Sequence, residues 1–211
     1  MPKDEVISLV ANAAAALADG RVLDAQRAVG SVDFPGLIQG RKEAYERVWG
    51  RPGGSATGYK SPRLGTRGGQ PLIADVRATF NRDHYTCRYC ERQTISPNVL
   101  RLLSSAFPDV LPYHSNWRPL EAHILYWTYS TSLEHILPFP LGGTNHATNL
   151  ITSCYQCNDL KNYLPIDRLG WRVADPVQSG WAGLTEHIPA LRAQASCRVT
   201  TSTVRPFNAI V

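Results

Sequence analysis

The stretch STSLEHILPFPLGGTNHATNLITSCYQCNDLKNYLP, residues 130–165, decides how this chain is read. Ser130 to Leu137 is rich in strand formers and is stopped by Pro138. Residues 138–148 form a loop, with Gly142-Gly143 as its turn signal. Asn149 to Ser153 is a second short strand. Beyond the Cys154–Cys157 turn, residues 158–164 have the composition of a two-turn helix ended by Pro165. The order is strand, loop, strand, knuckle, helix: an α+β unit of small size.

Two cysteine doublets punctuate the chain, Cys87-Arg-Tyr-Cys90 and Cys154-Tyr-Gln-Cys157. The N-terminus lacks secretory character: Asp4 and Glu5 stand where a positive segment is needed, and Ala13 to Ala16 is a helix former. Disulfides are disfavoured in the reducing, cytoplasmic compartment this implies. Two CxxC knuckles then read as the four thiolates of a structural Zn²⁺ site, since a two-residue gap turns both sulfurs of a doublet toward one ion about 2.3 Å away. A thiol redox protein is the other use of such doublets, but no thioredoxin-like βαβ pattern accompanies them. Cys197 is left over and reads as a small buried side chain.

The remaining sequence is helical outside this unit. Val6, Leu9, Val10, Ala13, Leu17, Val22, Leu23 and Val29 follow helical spacing across residues 4–29, with a break near Asp19-Gly20. Short helices are expected over residues 40–49, 72–81 and 99–106. The aromatic- and proline-rich residues 107–129 read as a satellite core over the knuckles, with base stacking as the alternative, and His114 and His123 there as structural. The tail from Ile166 is mixed and helical, closing on a β-prone stretch, Arg198 to Val204. These boundaries divide the chain into an N-terminal helical segment with a basic arm (residues 1–75), a central core with an insertion (76–165) and an extension packed on that core (166–211).

With 43% hydrophobic and 18% charged residues the 211-residue chain is globular, not disordered. No run approaches the roughly 18 apolar residues of a membrane span, so no membrane partner is expected. The net charge of +5 is concentrated: between Arg41 and Gln70 seven basic residues face two acidic ones. That glycine-rich segment carries Arg51, Lys60, Arg63 and Arg67, and an extended basic arm suits contacts to phosphates. A solvated linker is the alternative reading.

From Glu134-His135 through Gly142-Gly143, Asn149-Leu150, Cys154, Cys157-Asn158 and Lys161, and in the lead-in Arg82-Asp83 to Cys87, the chain resembles the HNH endonucleases with a ββα-metal core. The resemblance covers roughly residues 76–164. It implies a DNA-cleaving phosphodiester hydrolase with His135 as general base, and with Glu134 and Asn158 as ligands of a catalytic Mg²⁺ or Mn²⁺. It also makes Asn149 the residue that steadies the loop and orients the histidine; a turn asparagine is the plain alternative. Asn158 is expected at the start of the last helix. Lys161, on its helical face, is expected to neutralise a phosphate or to be a solvated lysine.

These residue types suit the reaction. Phosphodiester hydrolysis needs a deprotonated water and a cation to offset phosphoryl charge. An ordinary imidazole, with a pKa of about 6.5, is about three-quarters neutral at pH 7 and can accept the proton. Oxygen donors select a hard cation, whereas thiolates select zinc.

Two features depart from the family pattern. Glu134 stands where Asp is usual, and 43 residues (Glu91 to Leu133) separate the first knuckle from it. Adjacent strand residues face opposite ways, so a strand end or bulge is expected to re-aim Glu134 or His135. His146 is read as facing solvent. A catalytically silent zinc-knuckle module that binds nucleic acid is the second reading. A homodimer or a larger defence or restriction assembly is left open by the sequence.

Overall fold

The computed structural model describes residues 3–50, 70–115 and 121–199. Helices α1 (Lys3–Ala18) and α2 (Val22–Gly30) pack as a hairpin. They part at Gly20, whose φ of +76° is a conformation that glycine adopts without strain. Helix α3 (Phe34–Trp49) starts six residues before the expected Gly40. Asp33 caps it by accepting from Gly36 N at 3.0 Å, and Pro35 occupies its first turn. Helices α4 (Ile73–Arg82) and α5 (Pro97–Ala106) fall close to their expected places.

Within the insertion, α6 (Ile124–Thr128) precedes strand β1 (Thr131–His135). Strand β2 (Leu150–Cys154) pairs antiparallel with β1, from Thr131 opposite Cys154 to His135 opposite Leu150. Helix α7 (Tyr155–Lys161) follows at once, and α8 (Ile188–Val199) closes the described chain. The fold is α+β, with one two-stranded sheet among helices in the described residues. Arg198 and Val199, expected to open a β-prone stretch, instead end α8. Among the described residues no helix is long and apolar enough to cross a membrane.

Among the described residues, the aromatic segment joins the principal core and does not form a satellite over the knuckles. Tyr126 and Tyr129 are buried in the principal core, with Val10 and Leu17 of α1, Leu103 of α5 and Leu191 of α8. Burying a phenol requires a partner for its hydroxyl, and Tyr126 finds one in Ser104 Oγ at 2.8 Å. His123, also buried, caps α6 by accepting from Leu125 N at 3.2 Å, and burial lowers its pKa to about 4. Its role is structural, as the sequence suggested. His114 lies 3.2 Å from Glu121.

A second, smaller core joins α3 to α7. Trp49 packs with Leu160 and Leu164, and its indole N–H donates to Leu160 O at 3.1 Å. Arg41 of α3 pairs with Asp159 while its guanidinium stacks over Tyr45 and Trp127, each centroid 5.0 Å away. Helix α7 is therefore clamped between the sheet on one face and α3 on the other.

Candidate functional site

The two thiol doublets meet. Sulfurs of Cys87, Cys90, Cys154 and Cys157 all lie within 4.8 Å of one another, and Cys90 Sγ is 3.8 Å from Cys154 Sγ. A tetrahedral ion with bonds of about 2.3 Å has ligand–ligand edges of about 3.8 Å, so the quartet fits zinc. Three of the four cysteines are buried. Hydrogen bonds from its neighbours hold the Cys90 thiol below the ordinary range, while those around Cys157 push that thiol above it. A cation binds such a quartet as thiolates, displacing their protons and offsetting the repulsion between the sulfurs.

The knuckles are built by local geometry. Glu91 adopts φ +58° and returns the chain so that its N–H meets Cys87 O at 2.8 Å. Cys154 caps α7 with its own sulfur, accepting from Cys157 N at 3.4 Å. The helix thus begins inside the knuckle, three residues earlier than expected. Asn158 is consequently its fourth residue and not its first.

Asp83, fully buried, ties the first knuckle to the sheet. It accepts from Arg82 Nε at 2.9 Å, from an Arg88 guanidinium nitrogen at 2.7 Å and from Thr152 N at 2.7 Å. Burial pushes its carboxyl up, but the two arginines and the backbone donor outweigh it and hold the acid below the ordinary range. Arg82 also reaches Ala147 O and Leu150 O, joining α4 to the loop before β2.

Pairing of β1 with β2 runs unbroken through Glu134 and His135, so no bulge re-aims either residue. Glu134 faces α7, as Ser132 does two positions earlier. Its carboxylate is 5% exposed and lies 2.6 Å from Lys161 Nζ. Burial raises its pKa to about 7, against the opposing pull of Lys161 and the His135 N–H. Lys161 is fully buried and also donates to His135 O at 2.8 Å. An ammonium so enclosed makes no contact with a phosphate and is not a solvated lysine. The expected phosphate contact at Lys161 is replaced by a buried ion pair under the strand end.

Asn158 projects from α7 onto the same face. Its amide nitrogen donates to Ser132 Oγ and Leu133 O, both at 3.0 Å, which leaves Oδ1 as its donor atom toward a cation. The carboxylate and the carboxamide are hard oxygen groups of the kind Mg²⁺ or Mn²⁺ accepts, and such an ion keeps several waters, so few protein ligands suffice.

His135 turns the other way, toward the loop. Its ring lies 4.5 Å from that of Phe139, and Nε2 is 2.9 Å from Asn145 Oδ1. Asn149 ties the loop shut: its Oδ1 accepts from Leu137 N at 2.8 Å, and its Nδ2 donates to Leu137 O at 3.1 Å and Thr144 O at 2.9 Å. Its side-chain bonds thus go to the loop backbone, and the imidazole's partner is Asn145, which the sequence did not single out. Both loop glycines are required. Gly142 has φ +93°, and a Cβ on Gly143 would stand 1.8 Å from Leu137 O. His146 is exposed as expected, and its ring bonds Thr148 Oγ1 at 2.9 Å.

Arg51, Lys60, Arg63 and Arg67 lie outside the described residues, as does the side chain of Cys197. Neither a curated protein nor a solved structure matches the chain. Residues 117–163 match the family model described as HNH endonuclease. That span contains β1, the Gly142-Gly143 loop, β2, the second knuckle and α7. The family is of nuclease type, with nucleic acid as its substrate class. Over residues 117–163, therefore, this chain carries an HNH endonuclease domain.

Proposed function

We propose that the protein is a divalent-metal-dependent endonuclease that hydrolyses DNA phosphodiester bonds, with His135 as general base. The observation that carries this reading is the arrangement at the end of β1. A half-buried imidazole is held by a neutral amide beside a loop that Asn149 closes, while Glu134 and Asn158 offer oxygen on the α7 side.

Glu134 and Asn158 would hold the cation, Mg²⁺ or Mn²⁺. When bound, that ion offsets charge on the phosphoryl oxygens and on the departing oxygen. His135 takes a proton from water as its oxygen forms a bond to phosphorus. The bond from phosphorus to the 3′-oxygen breaks, leaving a 5′-phosphate and a 3′-hydroxyl that gains its proton from solvent. Lys161 holds His135 O and Glu134 together beneath this site and so fixes where both side chains leave the strand. The four cysteines and zinc hold β2 and α7 against the first knuckle. The basic arm with Arg51, Lys60, Arg63 and Arg67 supplies phosphate contacts.

Zinc-loaded protein incubated with supercoiled plasmid and Mg²⁺ or Mn²⁺ tests this. Relaxed or linear product is expected with the metal, and none in excess EDTA. Retention of the plasmid in gel shifts without cleavage would instead favour the silent zinc-knuckle module.

A further inference from the structure

We propose that Asn145 is the positioning residue of His135, fixing its proton on Nε2 and leaving Nδ1 as the nitrogen that takes the proton from water. This rests on the reading of His135 as the base. A neutral imidazole has one N–H and one bare nitrogen, and only the bare one accepts a proton. What faces the ring therefore decides which nitrogen is bare. A carboxamide oxygen can only accept, so Asn145 Oδ1 at 2.9 Å from Nε2 requires the hydrogen to reside there.

The surroundings support this assignment. Phe139 packs beside the ring with centroids 4.5 Å apart and restricts its rotation. The neighbouring carboxylate, Glu134, lies on the far face of the strand, with Oε1 on Lys161, and offers the ring no competing acceptor. Asn145 is held in its turn by the loop: Asn149 Nδ2 binds the carbonyl of the preceding residue, Thr144, at 2.9 Å. Division of labour follows. Asn149 closes the loop, and Asn145, carried by that loop, orients the base.

The test reads the proton directly. In ¹⁵N-labelled, zinc-loaded full-length protein at pH 8, ring ¹⁵N–¹H correlation spectra of His135 should show a protonated Nε2 and a bare Nδ1. The reverse pattern overturns the proposal, whatever the activity. An Nε2-protonated ring in a protein that cleaves no DNA supports Asn145's placement while sinking the nuclease reading, so the two failures are distinguishable. Asn145→Leu, similar in size but without an acceptor, should lower kcat about tenfold to a hundredfold with KM unchanged. Asn145→Asp, which restores an acceptor oxygen, should recover most of the loss. Equal kcat for Asn145→Leu and wild type, at equal zinc content, overturns the role.

Discussion

Replacing Lys161 by Met should destabilise the protein by an amount that grows with pH. Lys161 Nζ makes two bonds, to Glu134 Oε1 at 2.6 Å and to His135 O at 2.8 Å, with neither side chain reaching water appreciably. Methionine fills nearly the same volume but strands the carboxylate. Removing one partner of a buried pair typically costs about 3–5 kcal/mol, because a charge is left without compensation. Glu134 can escape that cost by taking a proton. Its pKa is already raised to about 7 by burial, and without the ammonium it rises further. A carboxyl whose folded pKa exceeds its unfolded value contributes stability that is complete below about 4.5 and is lost as pH rises through the folded value. At pH 5.5 the variant's Glu134 is therefore neutral, and the deficit shrinks to about 1–2 kcal/mol for the lost bond to His135 O. At pH 8.5 it should reach about 3–4 kcal/mol, because wild-type Glu134 itself ionises only above about 7 and the pH range from there to 8.5 adds at most about 2 kcal/mol. Urea denaturation of both proteins, with zinc bound and no other divalent ion, measures this at the two pH values. A deficit that is the same at both, or below about 1 kcal/mol at pH 8.5, would refute the assignment of a buried pair. Glu134→Gln combined with Lys161→Met should regain most of the loss at pH 8.5.

Serine in place of Cys87, Cys90, Cys154 or Cys157 should abolish zinc binding and cooperative unfolding together, because metal affinity here is folding energy; zinc analysis with thermal melting checks it, and a stable, zinc-free variant speaks against the site. His123, lowered to about 4 by burial, contributes stability that is complete above about 6.5 and is lost as pH falls through 4. In His123→Asn, whose amide oxygen can still cap Leu125 N, stability should therefore fall by about 3 kcal/mol less between pH 7 and pH 4 than in wild type; parallel curves would remove His123 from the acid response.

Much of this architecture is legible in residue order because it depends on local signals. Strand formers from Ser130 to Leu137, the glycine pair and the thiol doublets each carry their geometry with them, and each lies where expected. The start of α3 was also written locally, in Asp33 followed by Pro35, an N-cap and first-turn pair ahead of the helical periodicity. Other features depend on what meets in space. Asn145 is a turn former by type, and nothing in a loop asparagine announces an imidazole opposite it. Lys161 sits on the helical face of Asn158 in any reading, but only the tilt of α7 onto β1 decides whether that face meets solvent or Glu134. The early start of α7 rests on a sulfur cap, an acceptor type absent from the usual N-cap preferences. Tyr126 and Tyr129 show a third case. Their composition announced a core, but which core depended on α1, from over a hundred residues before them, and α8, from about sixty after them, packing over them together with the nearby α5.

The central claim is that the His135 imidazole removes the proton from the attacking water. Single-turnover cleavage of supercoiled plasmid in Mg²⁺ or Mn²⁺, comparing wild type with His135→Ala at equal zinc content and equal melting temperature, measures it most directly. Loss of a positioned general base lowers the rate about a hundredfold to ten-thousandfold, and that drop is the expected result. Equal rates for the two proteins would contradict it.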